Sequence, residues 1–149
     1  MRLPSTDRGA IDKLKNHFSK IQIADKDGDL DRDGYTSAAW TGNSFSNGAA
    51  GTINWVVAFG LPEIPKFVNL YIAVRDLASG GAAYSLRLKA KVGTTSYSAL
   101  ANAEAGGNDL VREHNVWVPV ADNGTTYYSI VASGVNTMDI WVRVNAWIR

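Results

Sequence analysis

Asp29, Asp31 and Asp33, followed by Gly34, spell DxDxDG, the opening of a calcium loop in which alternate carboxylates turn onto one cation and a glycine permits the sharp bend. In the register of an EF-hand the twelfth position should be a bidentate glutamate; here it is Trp40, and the residues beyond it do not read as an exiting helix. A full EF-hand is excluded. A solvated acidic linker is the preferred reading, because no terminal carboxylate closes the shell. Calcium at these three aspartates is the alternative, and no other cofactor is expected.

Other chemistry has little to stand on. There are no cysteines, and only His17 and His114 could supply imidazole. Glu113 beside His114 is an isolated pair, and neighbours on a strand point to opposite faces, so the two cannot readily act on one substrate atom. Neither GxSxG nor HExxH occurs. Gly80-Gly81 and Gly106-Gly107 lack the strand, glycine turn and helix order of a phosphate cradle. Asn123-Gly124-Thr125 matches a glycosylation sequon but reads first as a turn between strands. No catalytic residues are expected, and the chain is not expected to be an enzyme.

The last apolar run offers a different kind of site. From Met138 to Ile148 the residues alternate, so that Asp139, Trp141, Arg143, Asn145 and Trp147 fall on one face and Met138, Ile140, Val142, Val144, Ala146 and Ile148 on the other. Two indoles among hydrogen-bonding groups suit an interface centre, and equally a platform on which sugar rings stack. The bland alternative is a face covered by a loop.

Those residues must be held by a scaffold, and the rest of the chain reads as mostly β. Length 149 suits one domain with its own core. The clearest strand is Ala82 to Val92, with Tyr84, Leu86, Leu88, Ala90 and Val92 on one face. Residues 66–74 are apolar on both faces and predict a central strand, joined to the previous one through DLASGG as a hairpin. Further strands are expected at 115–121, 125–132 and 138–148, with shorter ones near 52–57 and 97–101. Pro119 has no amide hydrogen for a ladder, so 115–121 belongs at an edge or contains a bulge. Six to eight strands with no helix between them predict an antiparallel β-sandwich, jelly-roll or immunoglobulin-like.

Ahead of this body, Ile11, Leu14, Phe18 and Ile21 are spaced as one apolar stripe on a short helix. Such a helix is too short to stand alone in water, so its stripe must dock on the body or on copies of itself. Five of the 14 acidic residues lie between Asp25 and Asp33, the sharpest shift in composition. The expected division is a helical arm with an acidic linker over 1–35 and a sandwich over 36–149. A formal net charge of +1 gives no field to draw a polyanion, so neither nucleic acid nor an anionic membrane is an expected partner. Nothing reads as a signal peptide or membrane span.

The stretch DGDLDRDGYTSAAW resembles the aspartate-rich segment that precedes domains of tailed-phage fibre and tail proteins. INWVVAFGLPEIPKFVNLYIAV is similar to the strand, FG-x-P turn and strand of small β-sandwich domains in phage structural proteins, and NGTTYYSIVASGVNTMDIWVRVNAWI closes in the same manner. Together these span roughly residues 25 to 149. The resemblance implies a virion part, made in the host cytoplasm without a signal peptide: a fibre, tail-associated or capsid-decorating protein. It further implies a homo-oligomer, frequently a trimer, that contacts other virion proteins and uses neither cofactor nor catalytic residues. The arm would anchor or self-associate. The alternative expectation is a carbohydrate-binding module or adhesin tip that holds a surface glycan at Trp141, Arg143, Asn145 and Trp147.

Overall fold

The computed structural model describes residues 21–23, 34–77, 84–89, 101–106 and 109–149. Among these are nine strands: β1 (Ile21–Ile23), β2 (Tyr35–Phe45), β3 (Ala50–Asn54), β4 (Phe67–Asp76), β5 (Ser85–Lys89), β6 (Ala101–Glu104), β7 (Arg112–Pro119), β8 (Thr125–Val131) and β9 (Met138–Ile148). One short helix, α1 (Trp55–Phe59), follows β3. Arm positions Ile11, Leu14 and Phe18, and the aspartates Asp29, Asp31 and Asp33, lie outside the described residues.

The strands form two antiparallel sheets. One has the order β1-β9-β4-β7, with β2 also paired to β9; the other has the order β3-β8-β5-β6. Strand pairs nest within one another: β2 with β9, β3 with β8, β4 with β7 and β5 with β6. The chain thus behaves as one long hairpin whose two arms are wound alternately through both sheets. This is a jelly roll, and the immunoglobulin-like alternative falls away.

Side-chain alternation places the core between the sheets. In β4, Val68, Leu70, Ile72 and Val74 are buried there, opposite Val144, Val142 and Ile140 of β9. Leu86, Leu88 and Ile130 meet them from the second sheet. Fully burying such a side chain stabilises by about 1.5–3 kcal/mol before ordering costs. Trp55 is also buried, and its indole N–H donates to Thr126 Oγ1 at 2.8 Å, so no polar atom is stranded. At one end of the sandwich the fully buried Asp76 carboxylate accepts from the Ser133 amide at 2.8 Å and from the Ser133 hydroxyl. That contact ties the end of β4 to the β8–β9 connection.

Several expectations need correction. The segment 66–74 is indeed a central strand, between β9 and β7, but β4 and β5 belong to different sheets, so DLASGG does not close a hairpin. Residues 52–57 are half strand and half helix. Asn54 caps α1 by accepting the Val57 amide at 3.1 Å, and Gly60, at φ 74°, ends it in the left-handed region. Ile21 lies in β1, paired with Ile148, instead of on a helical stripe; the alternating Ile-Gln-Ile suits an added edge strand. Residues 21–23 therefore hydrogen-bond into the sheet of the sandwich. Pro119 does end an edge strand, as its missing donor requires.

Candidate functional site

Three adjacent strands, β7, β4 and β9, turn one face of the five-stranded sheet away from the core. Register fixes which residues share it. Tyr71 pairs with Asn115 and Arg143, Ala73 with Glu113 and Trp141, and Arg75 with Asp139. Asn69 pairs with Trp117 on one side and with Ala146 on the other.

The face is tied together by its own side chains. Arg143 stacks over the Tyr71 ring at 5.0 Å, and its Nε donates to Asn145 Oδ1 at 3.1 Å. Asn145 Nδ2 donates to Asn69 Oδ1 at 3.4 Å, and Asn69 Nδ2 reaches the Val116 carbonyl at 3.5 Å. The Tyr71 hydroxyl donates to Glu113 Oε1 at 2.7 Å; that bond is the main reason the phenol is held above its ordinary pKa, with burial and the nearby negative charge adding to it. Arg75 bonds Asp139 at 2.5 Å and lies 3.4 Å from Asp109, an ion pair made without a hydrogen bond from its Nε. Its guanidinium also sits 5.8 Å from the Trp141 ring, and Ser44 donates to the other Asp139 oxygen at 3.2 Å. The bond to Asp139 chiefly raises the Arg75 pKa further, so this cation is permanent.

Two glycines seat the large side chains of β9. Gly42 has φ 83°, and a Cβ there would lie 2.6 Å from Trp141 Nε1; at Gly34, with φ 50°, it would lie 2.6 Å from Arg143 Cγ. Bare backbone at both positions in β2 and just before it lets the indole and the arginine stem lie flat.

Of the four residues expected on this face, Trp141, Arg143 and Asn145 come together there. Trp147 does not. A bulge in β9 sets Asn145 and Ala146 against the single residue Asn69, which inverts the alternation beyond it. Trp147 consequently points into the core, 5% exposed, edge-on to Tyr35 at 5.6 Å, with its indole N–H directed to Glu63 at 3.2 Å. Ile148 is displaced to the outer face by the same step. The sequence reasoning missed Asn69, Tyr71, Arg75 and Trp117. The available signal was the odd-numbered positions of β4, which carry Asn, Tyr and Arg within an otherwise apolar run.

Glu113 and His114 point to opposite faces, as strand periodicity requires: Glu113 meets Tyr71, and His114 Nε2 lies 2.9 Å from the Glu104 carbonyl oxygen. Among the described residues no group of three or more His, Cys, Asp or Glu is placed to hold a metal ion, and no helix is long and apolar enough to cross a membrane. Chemically, the outer face offers aromatic surface, amide and guanidinium donors, and charges that largely compensate one another. No protein-family model matches the chain, and no curated protein aligns with it significantly.

Proposed function

We propose that this chain is a non-enzymatic structural protein of a virion, a fibre, tail-associated or capsid-decorating component that acts by assembly and binding. The observation that carries the reading is the outer sheet face, whose aromatic and polar groups are locked to each other as a fixed contact surface. A preorganised surface of this kind suits recognition, because little side-chain freedom is lost on contact. The jelly roll adds support by analogy alone, since the same architecture recurs in viral capsid and lectin domains. In this reading Ile11, Leu14 and Phe18 belong to an arm through which copies associate into a closed oligomer, a trimer, and the outer face is turned towards what the particle touches.

Light scattering on the full chain, on a chain lacking residues 1–20 and on Trp117→Arg tests this. The expected masses are a trimer for the full chain, a monomer after the deletion, which spares β1, and a trimer again for Trp117→Arg. A monomeric full chain overturns the assembly reading.

A further inference from the structure

We infer that the corner of the outer face framed by Phe67 and Trp117 is a binding subsite for a neutral oligosaccharide built of hexopyranose units. The inference rests on the reading of that face as the outward contact surface.

Phe67 and Trp117 are 42% and 45% exposed, unusual values for large aromatic side chains on a sheet. Phe67 pairs with Pro119 and Asn69 with Trp117, so Trp117 is the diagonal neighbour of both Phe67 and Tyr71. Diagonal positions on one face stand about 7–8 Å apart. The two exposed rings therefore flank Asn69, the first member of the Asn69, Asn145 and Arg143 chain. Each amide carries two donor hydrogens and a guanidinium five, and the bonds within the face engage one nitrogen of each group. Further donor hydrogens remain on the same three side chains.

A hexopyranose matches both halves of this corner. Its C–H face packs on an aromatic ring, while the hydroxyl oxygens around its rim accept from amide and guanidinium groups. Charge decides between neutral and ionic sugars. Arg75 is matched by Asp139 and Asp109, and Arg143 shares Tyr71 with the Glu113 carboxylate, so the face has no surplus of either sign to favour a polyanion.

The 149-residue chain is titrated calorimetrically with maltohexaose, cellohexaose and mannohexaose, and with a heparin hexasaccharide as the ionic comparison. At least one neutral probe binds, Trp117→Ala weakens it about tenfold or more, and Val57→Ser, on the exposed side of α1, leaves it unchanged. Thermal melting of each variant verifies the fold. Silence from all three neutral probes, tighter binding of the heparin fragment, or binding indifferent to Trp117→Ala overturns the inference while leaving a trimeric mass, and with it the assembly reading, intact. A fall in oligomer mass in Trp117→Arg overturns it differently, by making this corner an interface between copies.

Discussion

Replacing Gly42 by alanine strains β2 at two separable points. The backbone there has φ 83°, and an added Cβ would press into the Trp141 indole at 2.6 Å. A left-handed conformation costs an L-residue about 1–2 kcal/mol. Forcing a side chain into occupied space costs about 1–3 kcal/mol. Gly42→Ala is therefore expected to lose about 2–5 kcal/mol, a large part of the stability of an ordinary domain. Removing the indole first leaves only the backbone component, so Gly42→Ala introduced into Trp141→Ala should cost about 1–2 kcal/mol. The assay is urea unfolding of the two single variants and the double variant, closed as a double-mutant cycle with a coupling of at least 1 kcal/mol, at the low end of the overpacking range of about 1–3 kcal/mol. Additivity within about 0.5 kcal/mol refutes the argument that Gly42 exists to seat Trp141.

The two tryptophans separated by the bulge should behave oppositely: Trp147→Ala loses about 3–5 kcal/mol in urea unfolding, as a buried aromatic does, whereas Trp117→Ala loses under about 1 kcal/mol. Asp76→Ala removes the buried acceptor of the Ser133 amide, while the Ser133 hydroxyl keeps Thr137 Oγ1 as a partner, and should cost about 1–3 kcal/mol, read from the denaturation midpoint; an unchanged midpoint would remove Asp76 as the tie at that end. Ultraviolet titration should find Tyr71 ionising above the ordinary tyrosine value, and Glu113→Gln should bring it back down. Because the folded-state value is raised, the stability linked to this phenol is fully present below the unfolded value, near 10, and is lost as pH rises through the Tyr71 value.

What was legible in the sequence was local. Alternation in 138–148, the Pro at 119 and the turn residues around 122–124 each specify their own neighbourhood, and the strands they predict are present. α1 was hidden because WVVAF is apolar and rich in valine, which reads as strand; its signals were the caps, Asn54 and Gly60. β2 was hidden because YTSAAWTGNSF has no clean alternation, and its register against β9 shifts around Thr41. At the site, Trp141, Arg143 and Asn145 could be grouped because they share one strand. Tyr71, Asn69 and Trp117 could not, since their adjacency depends on which strands pair, and Trp147 was misplaced because a bulge leaves no mark in strict alternation.

The nested pairing also dictates the order in which this protein can be made. β9 is the partner of β1, β2 and β4, so contacts joining residues near 21 and 35 to residues near 144 and 148 must wait for β9. During synthesis, at about 5–20 residues per second, β2 and β4 stand without that partner for several seconds, presenting open strand edges to any neighbouring chain. Once β9 is released, pairings so distant in sequence form slowly, on the order of milliseconds to seconds. Nascent chains on one message would thus be exposed to mispairing just when a chaperone, or a second copy, could occupy the groove that β9 later fills.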